Sequence, residues 1–585
     1  MRQSSPERLA WPPALRPLAA AAAVAALAVL LLIGPPLAAR AAAAPAAPQQ
    51  ISHALLHKLL YEEPNAQLQA LGNLSDHEGS LSRIFLSPAH RRAAGQQLEQ
   101  WMAAAGMRTW TDALANVHGL AAAADPSAPQ ILVGSHYDTV HDGGKYDGAL
   151  GIIAGIAAVK ALLVEAALAK GLLSTAQLEQ AVAAAGAGQL LNLSQLLPAG
   201  DAKAQQLLAT PVHVVAFSDE EGVRFQSTFL GSRAVAGSLD EGMLEAADVE
   251  GITVRQALNQ AGFDPSPAAR RGAAMQREQL QAYVEVHLEQ GPVLEAAGRR
   301  LGAVAAIAGQ SRLLAEIQGE QGHAGTVPMR SRRDPLAAAA EIMGQLERLC
   351  NGGGHSQPTN PELSSDGSLV CTVGAMSIWP GASNVIPGAT NFTIDVRSRW
   401  DGNRKRVLQE LERSMQSVCQ RRGLSCRLHL KNEAAAVEAD PGVVQRLAEA
   451  AAEAEPLVQQ LLAHHASSDR SPAPAGTCSA GGAGFDSAGA CQAAAEGSSR
   501  ASGSSRGSGS SKSSGTSSDP APVLVSGAGH DAMVFADVTR MSMLFVRCRG
   551  GISHSPQEHV APDDVAAATA ALHRYLRREA LLPKS

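Results

Sequence analysis

Ile131-Leu132-Val133-Gly134-Ser135-His136-Tyr137-Asp138-Thr139-Val140, with Gly143-Gly144-Lys145-Tyr146-Asp147-Gly148-Ala149-Leu150-Gly151 close behind, spells out a strand, a loop and a helix start. The apolar run ending in Gly-Ser places His136 at the carboxyl end of a buried strand, where α/β sheets hold their sites. Asp138, two residues on, is expected on the same side, accepting the His136 ring N–H and fixing its tautomer. Asp147 then precedes a Gly-rich, apolar helix start. A His and an Asp arriving from a strand end and a loop make half of a metal site.

Three more patches supply the other half. His213-Val214-Val215-Ala216-Phe217-Ser218-Asp219-Glu220-Glu221-Gly222 is a second buried strand running directly into carboxylates. Neighbouring Glu220 and Glu221 cannot both face the same way in extended backbone, so Glu221 can bind metal while Glu220 faces substrate as general base. Tyr283-Val284-Glu285-Val286-His287-Leu288-Glu289 alternates as a strand with Glu285, His287 and Glu289 on one face. Gly550-Gly551-Ile552-Ser553-His554-Ser555-Pro556-Gln557-Glu558-His559 closes the set near the C-terminus. Two divalent ions about 4 Å apart need one bridging carboxylate and roughly two further ligands each. Asp147 as bridge, His136 with His287 on one ion, and Glu221 with His554 on the other meet that count. Imidazole mixed with carboxylate suits Mn²⁺, Zn²⁺ or Co²⁺.

Composition narrows the class of partner. The chain has 585 residues, too many for one core, and 48 Lys+Arg against 54 Asp+Glu give a net charge of −6. No polycationic surface is available, so no nucleic-acid partner is expected. Ala is the largest single share of the apolar 45%, with only 3% aromatic residues, which points to segments that do not pack. Residues 1–47 carry Arg2, Arg8 and Arg16, an apolar stretch and a small-residue run. They are expected to be a secretory signal peptide leading to the endoplasmic reticulum, with an uncleaved signal anchor or an organellar transit peptide as alternatives. No stable membrane partner is expected unless that segment stays attached. Asn73, Asn192 and Asn391 head Asn-x-Ser/Thr triplets that would be glycan acceptors in such a compartment. An Ala/Leu/Gln-rich stretch at about 166–204 is expected as a surface helical excursion, and the Ser/Gly-rich 467–519 as a disordered loop. The seven Cys show no metal-ligand spacing, and idle thiols are expected.

With these motifs in hand, the chain resembles the di-metal peptidase family M20, and within it the N-carbamoyl amidohydrolase branch. Gly-Ser-His136-Tyr-Asp138, Asp147-Gly-Ala-Leu-Gly, Glu220-Glu221-Gly and His554-Ser-Pro carry the likeness. The fuller strings Glu220-Glu221-Gly222-Val223-Arg224-Phe225, Gly527-Ala528-Gly529-His530-Asp531 and Arg547-Cys548-Arg549 tilt it toward the ureide-cleaving members. The resemblance implies an α/β fold: a di-metal aminopeptidase-like α/β/α catalytic domain, residues 50–304 and 433–585, with an inserted β-α-β-β-α-β lid and dimerisation domain at 305–432. It implies hydrolysis of a ureido C–N bond in a small-molecule ureide, two divalent ions per subunit with Mn²⁺ foremost, and a homodimer formed through the lid.

It also gives roles to lid residues. His323, on the loop Gly322-His323-Ala324-Gly325, would reach across the dimer to the scissile carbonyl. Asn384 would offer an amide, and Arg397, in Asp395-Val396-Arg397, would clamp a substrate carboxylate with its two-pronged guanidinium. Gln310 and the Gly529 backbone match further substrate contacts. His141, His213, His464, His465 and His559 are set aside as ordinary histidines, while His530 borders the site. A silent binding protein would require a broken ligand, and none is broken.

Overall fold

The computed structural model describes residues 51–185, 189–197, 206–351, 368–468 and 520–581. The expected targeting segment at 1–47 lies outside the described residues, as does nearly all of 467–519.

Six strands come first: β1 (Arg108–Thr111), β2 (Val117–Ala121), β3 (Gln130–His136), β4 (Val212–Phe217), β5 (Leu280–Leu288) and β6 (Leu301–Ile307). The chain then builds β7 (Gly309–Gln318), β8 (Gly322–His323), β9 (Val370–Thr372), β10 (Met376–Trp379), β11 (Val385–Ile386), β12 (Ala389–Ser398) and β13 (Ser425–Ala434). It returns through β14 (Val437–Glu438), β15 (Val523–Ser526) and β16 (Met541–Val546). The larger sheet runs β1-β2-β4-β3-β5-β16-β6-β14, with β15 beside β6. Its centre, β4-β3-β5-β16, is parallel, and β2 and β6 flank that centre antiparallel. The central strands are continuous apolar runs because they are buried almost throughout. Parallel pairing also brings the carboxyl ends of β3, β4 and β5 to one edge of the sheet, which is where His136, Glu220 and His287 stand.

Helix Ala149–Ala169 packs on β3 and against helix Pro562–Leu576, which in turn contacts helix Pro441–Ser468. It is apolar apart from Lys160 and Glu165, which pair with Glu63 and Arg577, because it is buried in the core, although its length and hydropathy match those of a membrane span. The described residues of the stretch at 166–204 are more embedded than a surface excursion. Ala166, Ala167 and Leu168 finish the core helix, and Leu178, Leu191 and Leu193 are buried in the same hydrophobic cluster. These leucines face the core instead of solvent.

The second sheet runs β10-β12-β7-β13, all antiparallel, with β9 also on β12. Helices Pro335–Cys350 and Asp401–Arg422 cover one face, so Leu313, Ala315, Ile317, Phe392, Ile394 and Val396 alternate inward onto Ile342, Val407 and Leu411. This sheet starts at Gly309 and ends at Ala434, whereas 305 and 432 were expected. Residues 301–307 pair with β15 and β16 in the larger sheet, and an unbroken apolar run hides that handover.

Four of the cysteines expected as idle thiols are paired, Cys350 with Cys371 and Cys419 with Cys426, both within this second unit. The chain folds β13 back along helix Asp401–Arg422, which brings Cys426 to Cys419. Cys548 is free and buried among the described residues.

Candidate active site

Asp147 is the centre of the arrangement. It sits in the turn before helix Ala149–Ala169, and Gly148 behind it has φ +64° and a path so close to β3 that a Cβ there would lie 2.3 Å from the His136 carbonyl oxygen. Asp147 Oδ1 lies 3.1 Å from His287 Nε2 and 3.7 Å from His136 Nε2, and Oδ2 lies 3.2 Å from His554 Nε2. His554 Nε2 is also 3.4 Å from Glu221 Oε1. The imidazoles on the two strands are pre-oriented by backbone carbonyls: His136 Nδ1 donates to Asp138 O at 3.1 Å and His287 Nδ1 to Leu288 O at 2.9 Å. A carbonyl only accepts, so each Nδ1 carries a proton and each Nε2 is turned toward Asp147, to which it donates when the ring is protonated and beside which it would be a ligand for a cation.

Two ligand groups therefore share Asp147: with His136 and His287 on one side, and with Glu221 and His554 on the other. The donor set, imidazole mixed with carboxylate, would fit two cations with Asp147 common to both groups. Electrostatics agree. Burial alone would raise the Asp147 pKa, but hydrogen bonds from the three imidazoles hold it well below the usual carboxylate range. Burial, reinforced by Asp147, pushes Glu221 up to about 7, and burial pushes Glu220 well above the ordinary value. Asp147 and the neighbouring Glu221 carry His554 up to about 9. Several carboxylates buried side by side are costly without positive charge among them, and divalent cations supply it.

Asp138 behaves differently from the expectation. The His136 ring bonds its backbone carbonyl, while its carboxylate stands 3.6 Å from Nδ1. That carboxylate instead accepts the backbone N–H of Glu220 at 3.1 Å and of Glu221 at 3.2 Å. The loop needs such an anchor, since Asp219 (φ 54°) and Gly222 (φ 63°) are both left-handed and turn the two glutamates into the site.

A cavity of roughly 470 Å³ opens over these groups, lined by all five ligand residues and by Glu220, Gln290, Gln310, Arg312, Arg397, Asn432, Gly529 and His530. Gln310 and Arg397 lie opposite each other on β7 and β12. Arg397 donates from Nε and Nη2 to the two Asp395 oxygens, 3.0 Å each, and from Nη1 to Gly527 O at 2.8 Å. Asp395 thus holds the guanidinium edge-on while Gly527 ties it to the larger sheet. His530 is buried, 2.8 Å from Ser526 Oγ and edge-on to the His287 ring; burial and the charge of His287 keep its pKa well below the ordinary value.

Not every candidate enters this cavity. His323 and Asn384 share the β8/β11 ribbon, where Ala324 N–H donates to Asn384 O at 2.9 Å, and neither lines the cavity. Arg224 pairs with Asp248 and Arg547 with Asp564 in a two-pronged bridge. These arginines and Arg549 do not line the cavity. Arg312 and Asn432 do line it. Arg312 follows Gln310 by two residues on an alternating strand, and that spacing is a signal the sequence held.

The profile of peptidase family M20/M25/M40 matches residues 183–479. The chain belongs to peptidase family M20. M20 sites typically hold two metal ions, in keeping with the two ligand groups around Asp147. Among similar M20-type sequences, the allantoate deiminase of Arabidopsis thaliana is 39% identical across 90% of this chain and 84% of its own length. An N-carbamoyl-L-amino-acid amidohydrolase of a Pseudomonas species is 29% identical across 87% of this chain and 94% of its own. A hydantoinase/carbamoylase-family amidase of Burkholderia multivorans shares the fold, with a TM-score of 0.62 at 24% identity over 90% of this chain and 98% of that one.

Proposed function

We propose that this M20 hydrolase cleaves a carbon–nitrogen bond of allantoate, releasing ureidoglycine and carbamate, which decays to ammonia and carbon dioxide. The observation that carries the reading is the Asp147-centred double ligand group with Glu220 beside it, in a cavity that also holds Arg397 and Gln310. The 39% identity to an allantoate deiminase, against 29% to an N-carbamoyl-L-amino-acid amidohydrolase, favours the ureide.

His136, Asp147, Glu221, His287 and His554 would hold two divalent ions, Mn²⁺ foremost, whose chemistry there would be to polarise a carbonyl and bring the pKa of water toward neutrality. Glu220 takes the proton of the attacking water and returns it to the nitrogen that leaves the ureido carbon; burial raises its proton affinity, as that exchange requires. Arg397, presented by Asp395, binds the substrate carboxylate and orients the ureido arms, with Gln310 beside it. His323 and Asn384 lie outside their own cavity, so they serve the partner subunit of a homodimer. The edge strand β10, with Met376, Ile378 and Trp379 exposed, is available for that association. Residues 1–47 direct the chain into the secretory pathway, where the two lid disulfides find an oxidising compartment.

Glu220→Gln tests the chemistry. A fall in kcat of about 10²–10⁴-fold at unchanged metal content is expected, and full turnover would remove Glu220 as the base.

A further inference from the structure

The loops that carry Asp147 and His554 are tied together by a residue that binds neither substrate nor metal. Glu558 is 5% exposed. Its Oε1 accepts the backbone N–H of Tyr146 at 2.8 Å and of Asp147 at 3.1 Å, and its Oε2 accepts the Ser553 hydroxyl at 2.9 Å. Ser553 Oγ also lies 3.2 Å from Asp147 Oδ2, so one hydroxyl proton is shared between the two carboxylates. Gln290 closes the ring, its Nε2 donating to Asp147 Oδ2 and to Ser553 Oγ, 3.1 Å each. The fit leaves no slack: a Cβ on Gly144 would stand 2.1 Å from the Glu558 carboxyl carbon.

This ring matters most on the His554 side. His136 and His287 are fixed by buried strands and backbone carbonyls, but His554 is 51% exposed in its side chain and sits at φ 53° on a loop. Burial does not place it. Glu558, four residues later on the same loop, is what fastens that loop to the backbone of Asp147.

We propose that Glu558 is a positioning residue for the second cation site: by gripping the Tyr146–Asp147 backbone and Ser553 together, it sets the spacing of Asp147, Glu221 and His554. The inference rests on the two-metal reading above. Partners that orient metal ligands typically carry about 10–100-fold in metal affinity.

The test is calorimetric titration of the full-length, metal-stripped protein with Mn²⁺, beside its thermal unfolding. Wild type is expected to bind two Mn²⁺ per chain. In Glu558→Ala the weaker of the two sites should lose about 10–100-fold, the tighter site should change by less than about threefold, and kcat should recover at saturating Mn²⁺. Glu558→Gln keeps one acceptor oxygen for the two backbone N–H groups and should fall between. If Glu558→Ala does not fold, Glu558→Gln and Ser553→Ala carry the comparison. Unchanged affinity at both sites, or an equal loss at both with a lowered midpoint of the metal-free protein, overturns the positioning role. Wild type binding fewer than two Mn²⁺ overturns the two-metal reading itself, and the inference with it.

Discussion

Asp138 Oδ1 accepts the backbone N–H of Glu220 at 3.1 Å, and Oδ2 accepts that of Glu221 at 3.2 Å. One buried carboxylate therefore fixes the residue that moves the proton and the residue that binds metal, on a turn whose left-handed Asp219 would relax without it. In Asp138→Asn one acceptor oxygen becomes a donor facing an N–H. Loss of a charge-assisted bond of about 1.5–3 kcal/mol should lower kcat by roughly 10–100-fold with KM nearly unchanged. Steady-state kinetics at saturating metal check this; a KM rise with kcat intact would place Asp138 in substrate binding instead.

Arg397 is held by Asp395 and Gly527 before any substrate arrives. A lysine keeps the charge but cannot make parallel bonds to a carboxylate. Arg397→Lys should raise KM for a carboxylate-bearing ureide by about tenfold or more, a loss of roughly 1.4 kcal/mol. Removing the substrate carboxylate, for example as an amide, should cost wild type far more than the variant. Equal losses in both would show that Arg397 does not read that group.

His90 provides a pH signature outside the metal ligands. It is fully buried, stacked on Tyr137 at 4.1 Å, and accepts weakly from the Leu86 N–H on Nδ1. Burial, with Arg83 nearby and partly opposed by Asp138 and Asp76, brings its pKa down to about 3. The unfolded chain, with an ordinary imidazole, takes up that proton below about pH 6.5 while the folded protein does not. The stability contribution is thus complete above pH 6.5 and is lost as pH falls toward 3, by on the order of 4 kcal/mol at the acid end. Urea unfolding between pH 4 and 7 should show His90→Phe losing less stability on acidification than wild type. Parallel profiles would remove His90 as a source.

Much of the site was legible because metal ligation imposes residue type. His136, Asp147, Glu220, Glu221, His287 and His554 each follow a buried strand or occupy a glycine-rich loop, and the parallel sheet brings those ends together. Glu558, Ser553 and Gln290 escaped notice because they act through backbone N–H groups and one hydroxyl, which leave no mark on composition or spacing. Arg224 and Arg547 stand in strings that carry the family likeness, yet their side chains pair with Asp248 and Asp564 outside the cavity. Asp138 reads in the sequence as the partner of the His136 ring, and only the fold shows its carboxylate holding the Glu220 and Glu221 backbone instead. The lid was readable from its alternation, as β7 and β12 show, whereas its first boundary was masked by the apolar run through β6.

The most direct check is turnover by the full-length, Mn²⁺-loaded protein on allantoate, ureidoglycolate, 3-ureidopropionate and an N-carbamoyl-L-amino acid, compared by kcat/KM. Allantoate is expected to lead, with one ammonia and one ureidoglycine formed per turnover and activity abolished by a chelator. A higher kcat/KM for the N-carbamoyl-L-amino acid, or turnover unaffected by chelation, would contradict it.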